Sequence, residues 1–376
     1  MCSFKAFNPQ ITVASPGRIN FIGEHTDYNM GFVLPTAIDR KIIFKLRKNN
    51  SKNICSVYSA NYDVSFPIDL KIIKISNIEW ENYILGVIHE IQQLTDKLSG
   101  FDCVLSSDIP VGAGISSSAA MECGLAFGLN ELFDLGLSKL SIVELSQRAE
   151  HNYVGTKCGI MDQYASVMSK KDHVILLDCQ SIEHEYIPIN IKPYKVLLLN
   201  TNVSHSLAST AYNQRREECE KGVNIIKNKY HQVNSLRDVD EKMLAEFKGA
   251  LPEVIYARCK YVVEENARVL QAVEALKENR LNDFGILMYE THHGLSEDYE
   301  VSCPELDFLV EFSREYEAIL GARMMGGGFG GCTINLIHED AIDDFVRKVS
   351  IAYKGKFSIE LEAFEANPNE GTTLTK

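Results

Sequence analysis

The sequence lacks the features of a disulfide-stabilised, membrane-spanning or nucleic-acid-binding protein. Its ten cysteines are scattered singly without a Cys-x-x-Cys pair, which is typical of reduced thiols rather than of a disulfide or zinc framework. No apolar run approaches membrane-spanning length, and the first residues are too short and too polar a segment for a signal sequence. Basic residues are few, since 38 Lys and Arg stand against 51 Asp and Glu, and the net charge of −13 argues against nucleic-acid binding. We therefore expect a cytoplasmic protein without nucleic-acid or membrane partners.

Length and composition fit a globular protein with room for two domains. The chain has 376 residues, of which 45% are hydrophobic and 24% are charged. We expect a boundary near residue 180, giving domains 1–180 and 181–376, and the second domain is predicted to be richer in helix. Its helical periodicity covers residues 208–229, 240–248, 252–277 and 283–296. Residues 367–376 are expected to fray.

A glycine-containing turn leads into a predicted helix in the first half of the chain. Gly112, Ala113 and Gly114 let the backbone approach a ligand closely, and three hydroxyls, Ser116 to Ser118, follow them. Because such a turn directs free N–H groups and the positive end of a helix at one point, it favours an anionic phosphate. A tight turn with a serine cap would use the same residues. No Gly-Lys-Ser/Thr follows and the third glycine is missing, which excludes a Walker A loop and a dinucleotide or protein-kinase loop.

A second group of polar residues follows a predicted strand near the amino end. Ile11 to Ala14 is predicted to form a short strand, and Ser15 to Gly17 a turn. If the residues after that turn form a buried strand, Glu24, His25 and Asp27 lie together at its end and can hydrogen-bond several vicinal hydroxyls. The alternative is a solvated loop with a local Arg–Asp pair. A metal site is a weaker alternative, because three adjacent ligands suit neither helix nor strand spacing.

Asp162 and Trp80 are each open to a functional and a structural interpretation. Asp162 lies in an apolar run between Met161 and Tyr164, where an unpaired charge would be very costly. It is therefore a functional carboxylate, a helix cap or one half of a buried pair with an arginine. Trp80, the only tryptophan, begins an amphipathic helix and either belongs to the core, which composition favours, or flanks a purine.

A third unusual stretch lies close to the carboxyl end. Five of the six residues from 326 to 331 are glycine, and a predicted strand follows them. Apolar residues flank the stretch, so we expect a close-packed turn that other backbone or a ligand approaches, rather than a flexible tether.

Together these stretches resemble the motifs of the GHMP small-molecule kinases. Residues 16–29 are similar to the amino-terminal signature of the branch that phosphorylates galactose, residues 110–120 to the phosphate loop, and residues 326–331 to the third motif. Their order and placement match over nearly the whole chain, although Phe21 stands where that branch more often has leucine. The resemblance implies an α+β, two-domain GHMP kinase fold, with mixed or antiparallel sheets packed with helices and the active site in the interdomain cleft.

The resemblance also implies an activity. It is the ATP-dependent phosphorylation of the C1 hydroxyl of α-D-galactose, with Mg²⁺, by a monomer. An N-acetylgalactosamine kinase, which would need a roomier pocket beside the C2 hydroxyl, and a noncatalytic sensor of sugar and ATP are the alternatives. Against the sensor, the phosphate loop is uninterrupted and both proposed catalytic residues are present.

The resemblance implies a role for each matching residue. Asp162 matches the catalytic aspartate and Arg18 the arginine that orients it, and a carboxylate held there can accept the proton of a sugar hydroxyl. Besides Asp162, the implied sugar contacts are Glu24, His25, Thr26, Asp27, Gly159 and Tyr212. The implied contacts to the ATP phosphates are Gly112, Ala113, Gly114, Ile115, Ser116, Ser117 and Ser118. Ser59 and Trp80 match the adenine side, and Ser118 and Glu150 match the Mg²⁺ ligands.

Overall fold

The computed structural model describes residues 7–204 and 208–375, which form three β-sheets packed with helices. The strands are β1 (Ile11–Asn20), β2 (Phe32–Val33), β3 (Pro35–Lys48), β4 (Ile54–Ser59), β5 (Val64–Asp69), β6 (Phe101–Ser107), β7 (His173–Asp178), β8 (Glu183–Pro188), β9 (Tyr194–Ser204), β10 (Ile319–Met324), β11 (Gly330–His338), β12 (Glu362–Glu365) and β13 (Thr373–Leu374). The helices are α1 (Glu79–Gln92), α2 (Ser117–Phe133), α3 (Lys139–Ala149), α4 (Met161–Met168), α5 (Ala208–Lys227), α6 (Glu241–Ala245), α7 (Glu253–Lys277), α8 (Leu281–His293), α9 (Pro304–Arg314) and α10 (Ile342–Phe357). The predicted α+β class is confirmed.

The largest sheet has six strands in the order β13-β1-β3-β6-β4-β5, antiparallel except for the β4–β6 pair. Helix α2 packs on it through two glycines. A Cβ on Gly124 would lie 2.3 Å from the Phe44 ring, and one on Gly128 would lie 2.4 Å from a Leu46 methyl group. These glycines let the helix approach β3 closely, which fixes the start of α2 beside the end of β6.

Two smaller sheets complete the fold, in the orders β10-β11-β9-β12 and β2-β7-β8. The three-stranded sheet spans the position of the expected domain boundary, because β7 and β8 lie on either side of residue 180. The two-domain division at that residue stays a prediction. In the described ranges, 7–204 and 208–375, the helices are all too short or too polar to cross a membrane.

Strand β1 differs from its prediction, because it does not end before Ser15 but continues to Asn20. The predicted turn is wrong. Its proline and glycine are accommodated inside the strand, where the pairing with β3 shifts register between Pro16 and Arg18. Gly17 is needed at this irregularity, since a Cβ there would lie 2.6 Å from the Ile115 carbonyl oxygen. The longer strand carries Arg18 and the following polar residues toward the phosphate loop.

The end of the chain is also more ordered than expected. Thr372 is fully buried, and its hydroxyl lies 2.9 Å from the Ser15 hydroxyl and donates to the Ser166 carbonyl oxygen at 2.9 Å. The next two residues form β13 against β1. The prediction of a frayed end is therefore wrong up to Thr375, because strand pairing and buried side-chain hydrogen bonds hold the tail.

Candidate active site

Arg18 and Asp162 form a two-point ion pair at the centre of the site. Nε and Nη2 of Arg18 donate to Oδ1 and Oδ2 of Asp162, each at 2.8 Å, and Nη1 donates to the Gly114 carbonyl oxygen at 2.7 Å. Burial lowers the pKa of Arg18, but the charges of Asp162, Glu24 and Asp27 and the hydrogen bonds to Asp162 together outweigh burial, so the pKa is raised overall. Arg18 therefore pairs with Asp162, in the first turn of α4, and not with a local aspartate. This fork geometry fixes the carboxylate plane.

The phosphate loop joins the same carboxylate. Gly112 and Gly114 have φ angles of 75° and 71°, and Ser116 has 57°, so the loop turns through the left-handed region three times. The Ser116 hydroxyl donates to Oδ2 of Asp162. Since its side chain makes no cap for α2, the interpretation as a serine-capped turn is wrong. The first N–H groups of α2 stay free of a capping side chain, which suits an anion.

The glycine-rich third stretch packs directly on the phosphate loop. A Cβ on Gly326, where φ is 83°, would lie 2.9 Å from the Gly114 carbonyl oxygen, and one on Gly331 would lie 3.4 Å from Ala113. The prediction of a close-packed turn is thus confirmed by the geometry. Only backbone without side chains fits between the two loops.

Glu24 is held by a buried arginine that the sequence did not single out. Oε1 of Glu24 accepts from Nη1 and Nη2 of Arg323, at 3.2 and 3.1 Å, and from the Gly326 N–H at 2.9 Å. Arg323 is fully buried, and its guanidinium also donates to the backbone carbonyls of Asn20, Phe21 and Met324. The sequence signal for Arg323 is a charged residue in an otherwise apolar strand directly before the glycines. Its pairing with Glu24 could not be predicted from a local pattern, because the two residues lie 299 positions apart.

His25 is buried in a group of aromatic rings. Its φ is 63°, a strained value for a non-glycine residue, and Nδ1 lies 2.8 Å from the Tyr28 hydroxyl. The Tyr212 ring centroid lies 5.3 Å from the His25 ring. Burial, with the nearby charge of Arg215, lowers the pKa of His25 to about 3. The imidazole is therefore neutral at physiological pH, with one nitrogen free to donate and one to accept.

Asp27 and Gly159 fit against each other. A Cβ on Gly159 would lie 2.0 Å from Oδ2 of Asp27, so only glycine leaves room for this carboxylate. Burial and the charge of Asp162 raise the pKa of Asp27 to about 7. Thr26 lies between Glu24 and Asp27 in the sequence, but its hydroxyl contacts the carbonyl oxygens of Gly23 and Phe32 at 2.8 and 2.6 Å. The Thr26 hydroxyl therefore stabilises the turn through hydrogen bonds to the backbone.

A cavity lies where these elements meet. It is lined by Arg18, Glu24, His25, Asp27, Cys158, Met161, Asp162, Tyr212, Gly326 and Gly327. The structure therefore brings together six of the residues assigned to catalysis or to the sugar, from three distant parts of the sequence. Thr26 and Gly159 are not among the lining residues. Cys158, Gly326 and Gly327 line the cavity, although the sequence analysis assigns none of them to the sugar.

Glu150 and Ser118 lie on the phosphate-loop side of Asp162. Helix α3 is followed by a π-helical turn, Glu150–Val154, which begins with Glu150. Burial and the charge of Asp162 raise the pKa of Glu150 to about 7, although hydrogen bonds with Gln163 and Ser118 act in the opposite direction. Gln163 Nε2 donates to Oε2 of Glu150 at 2.8 Å.

A divalent cation fits the chemistry of this corner. Burial and the charge of Glu150 raise the pKa of Glu122, and its buried Oε1 has no hydrogen-bond partner in the described part of the chain. Hydroxyl and carboxylate oxygens of this kind are the ligands that Mg²⁺ prefers. In the described part of the chain, no three or more His, Cys, Asp or Glu side chains are grouped so as to hold a metal by themselves.

Ser59 and Trp80 lie away from the cavity. Ser59 ends β4 and pairs with Leu105 of β6, the strand that leads into the phosphate loop, and its buried Oγ has no hydrogen-bond partner among the described residues. The Trp80 ring is partly buried and lies 6.2 Å from Tyr62 and 6.0 Å from Phe66, measured between ring centroids. An aromatic face on this side of the sheet is compatible with either a core role or a base-stacking role.

Three family models match the chain in the order of these elements. The galactokinase galactose-binding signature matches residues 3–48, the GHMP kinases N terminal domain residues 82–170 and the GHMP kinases C terminal residues 272–355. The first two contain Arg18, Glu24, the phosphate loop and Asp162, and the third contains Arg323 and the glycine-rich stretch. The fold and site thus define a kinase of the GHMP class.

Individual relatives narrow this class. The chain is 41% identical to the galactokinase of Thermosipho africanus over 97% of this chain and 99% of that one, and 41% identical to the galactokinase of Thermotoga neapolitana over 96% and 98%. The crystal structure of Lactococcus lactis galactokinase complexed with galactose matches with a TM-score of 0.93 and 32% identity, covering 96% of this chain and 94% of that one. The chain belongs to the galactokinases of the GHMP kinase family, which are ATP-dependent sugar kinases.

Proposed function

We propose that this protein transfers the γ-phosphoryl group of ATP to the C1 hydroxyl of α-D-galactose. The observation that carries the proposal is the position of the Arg18–Asp162 pair. One side of it touches the phosphate loop, through Gly114 and Ser116, and the other faces the cavity of Glu24, His25 and Asp27. A sugar in that cavity would lie between the acid-rich segment and the transferable phosphate. In phosphoryl transfer, much of the catalysis comes from holding the attacking hydroxyl close to and in line with the transferable phosphate.

Asp162 is the proposed base. Its carboxylate accepts the proton as the C1 oxygen attacks the γ-phosphorus, while the bond from that phosphorus to the bridging oxygen of ADP breaks and ADP leaves. Arg18 holds both carboxylate oxygens and places a positive charge next to the developing phosphoryl charge. Because the same arginine donates to Gly114, the base and the phosphate loop are fixed relative to each other.

The phosphates of ATP are proposed to bind at residues 112–118 and the start of α2, with Ser59 and Trp80 on the adenine side. Free N–H groups and the helix terminus would neutralise part of the charge there. Mg²⁺ is the implied cofactor, and Ser118 and Glu150 are the residues that would hold it. When bound, it would supply charge neutralisation of the phosphates.

The sugar side is proposed to recognise galactose through Glu24, His25, Asp27 and Tyr212, with Thr26 and Gly159 shaping the wall. Glu24 supports this role because Arg323 and Gly326 occupy its Oε1 and leave Oε2 for a ligand. Neutral His25 and acidic Asp27 add a ring nitrogen and a second carboxylate. Such a set fits several vicinal hydroxyls at once.

The test is an assay of ADP release with galactose, N-acetylgalactosamine and glucose as separate substrates, with and without Mg²⁺. We expect turnover with galactose at least tenfold above the other two sugars and dependent on Mg²⁺. Preference for N-acetylgalactosamine would replace the proposed substrate, and ATP binding without turnover of any sugar would instead indicate a sensor.

We also propose that the protein works as a monomer in the cytoplasm. The nine cysteines among the described residues are all free, and eight of them are buried, which suits a reducing compartment. Light scattering coupled to gel filtration should give the mass of one chain, about 42.2 kDa. A mass of twice that value would contradict the monomer.

A further inference from the structure

Behind His25 lies a line of hydrogen bonds that the proposed reaction does not itself use. Nδ1 of His25 is 2.8 Å from the Tyr28 hydroxyl, which is 2.8 Å from the Tyr299 hydroxyl, and that hydroxyl is 3.2 Å from Sγ of Cys219. His25 and Tyr28 are 3% and 7% exposed, and Tyr299 and Cys219 are fully buried. The line therefore connects the sugar segment with α5 and with the residue that follows the second π-helical turn, Gly294–Asp298.

The chemistry of the four groups determines which of them donates and which accepts in each hydrogen bond. The Tyr299 hydroxyl has two acceptors in reach, the Tyr28 oxygen and the Cys219 sulfur, and sulfur is the weaker acceptor. When Tyr299 donates to Tyr28, the proton of Tyr28 is left to donate to Nδ1 of His25. Burial raises the pKa of Cys219 to about 12, so its thiol keeps a proton to donate to Tyr299. A neutral imidazole that accepts at Nδ1 carries its hydrogen on Nε2.

The surroundings leave little freedom to the imidazole. Its backbone sits in the strained left-handed region, and the Asn29 side chain donates to the His25 carbonyl oxygen at 2.9 Å. The Tyr299 ring lies 5.0 Å from the His25 ring and 4.7 Å from the Tyr261 ring. Tyr261 in turn donates to the Glu24 carbonyl oxygen at 2.9 Å. Buried networks of this kind specify one arrangement when every member is satisfied.

We propose that Tyr28 and Tyr299 are positioning residues that hold His25 in one orientation, with hydrogen on Nε2, so that Nε2 donates to one particular hydroxyl of the sugar. The inference rests on the proposed function and names residues that set the sugar preference of that site. Neither tyrosine needs to touch the sugar, because each acts through the imidazole.

The test measures sugar binding by calorimetry for the wild-type protein, Tyr28→Phe and Tyr299→Phe. Both changes keep the ring and remove the hydroxyl. Tyr28→Phe should weaken galactose binding about tenfold and Tyr299→Phe about threefold, because the first removes the hydroxyl that donates to Nδ1 and the second removes only the hydrogen bond that orients that hydroxyl. Turnover at saturating sugar should change less than the KM for galactose, and the KM for ATP should not change.

A panel of 2-, 3-, 4- and 6-deoxygalactose makes this test specific. For the analogue that lacks the hydroxyl bound by His25, the ratio of variant to wild-type Kd should fall to about 1, because the two losses are coupled. For the other analogues the ratio should stay as it is for galactose. In addition, ¹⁵N spectra of histidine-labelled protein should show hydrogen on Nε2 of His25 in the wild type and both tautomers in Tyr28→Phe.

The matched control is Tyr353→Phe, which removes another buried hydroxyl, one that donates to the Thr201 carbonyl oxygen at 2.9 Å in a separate part of the core. It should leave galactose affinity within twofold of the wild type. Equal ratios for all deoxy sugars, or hydrogen on Nδ1 in the wild type, would overturn the positioning role while wild-type turnover of galactose leaves the proposed function intact. Failure of the wild type to bind galactose would overturn both.

Discussion

The acid-rich segment and the phosphate loop meet at Asp162, yet they differ in burial. Glu24, His25 and Asp27 are 1%, 3% and 7% exposed, and the Glu24 carboxylate is held by the buried Arg323 from a distant strand. In the phosphate loop Val111 is 79% exposed, and a Cβ on Gly112 would meet no atom of the described residues within 4 Å. The first region is therefore shaped by side chains before a ligand arrives, whereas the second offers mainly backbone to its ligand.

This difference in burial determines how strictly each region can select its ligand. A fixed set of buried acceptors and donors rejects a sugar whose hydroxyls do not match, because its own polar groups would be left unpaired. A glycine-rich backbone binds any nucleotide phosphate of suitable charge with little selection. We expect substitutions on the sugar side to alter specificity and substitutions in the loop to alter nucleotide affinity alone. Changes at Asp162, which belongs to both regions, should stop the reaction.

The largest effect is expected for Asp162→Asn. The amide keeps the size of the side chain and a contact with Arg18, but it cannot accept the proton of the sugar hydroxyl. We expect kcat to fall about 10²- to 10⁴-fold, with galactose affinity within about threefold of the wild type. Steady-state ADP release and calorimetry measure the two quantities. Asp96→Asn, at an exposed position after α1, is the control, and ordinary turnover in Asp162→Asn would remove the base from its proposed role.

The next largest effect is expected for Gly159→Ala. The new Cβ would lie 2.0 Å from Oδ2 of Asp27, so that this carboxylate must move away from the cavity. Galactose affinity should fall about 10²-fold while nucleotide affinity is retained, since a shift of about 1 Å at a positioned group has effects of that size. Gly249→Ala serves as the control, because its Cβ would have no neighbour within 4 Å. A loss shared equally by sugar and nucleotide would break the distinction between the regions.

Sequence patterns predict the phosphate loop better than the acid-rich segment, because the first is built mainly from backbone and the second from side chains of distant elements. The phosphate loop and the third glycine-rich stretch have local signals, because both contain positive φ angles and close backbone contacts that favour glycine. The elements Glu79–Gln92 and Phe101–Ser107 follow from local periodicity as well. By contrast, the bond from Arg323 to Glu24 and the one from Tyr299 to Tyr28 join residues far apart in sequence, so no short pattern contains them. The strand through Pro16 was missed because pairing with β3 overrides the local turn signal.

The raised pKa of Asp27 predicts a pH effect of intermediate size. Burial raises this pKa from 3.8 to about 7 in the folded protein. Between pH 3.8 and pH 7 the folded state then binds one more proton than the unfolded state. Asp27 therefore contributes stability that is fully present below pH 3.8 and is lost as the pH rises to 7. Asp27→Asn removes this term. Relative to the wild type, the sugar-free variant should gain about 1–2 kcal/mol in unfolding free energy between pH 5 and pH 7, and no more above pH 8.

Chemical denaturation at a series of pH values measures that difference. A constant difference from pH 5 to pH 8 would mean that Asp27 is ionised throughout, and that the acid-rich segment tolerates its charges before the sugar binds.

The smallest effect is expected for Gly112→Ala in the phosphate loop. The φ of 75° destabilises alanine by about 1 kcal/mol relative to glycine, but among residues 7–204 and 208–375 the methyl group meets no atom within 4 Å. We expect the KM for ATP to rise roughly threefold to fivefold, in line with that strain, and the KM for galactose to stay unchanged. Gly114→Ala should have a larger effect on ATP, because its Cβ would lie 3.2 Å from the Met325 carbonyl oxygen and would push the third glycine-rich stretch away. If Gly112→Ala weakened galactose as much as ATP, the loop would have to be part of the sugar site, and the two regions could no longer be treated as separate.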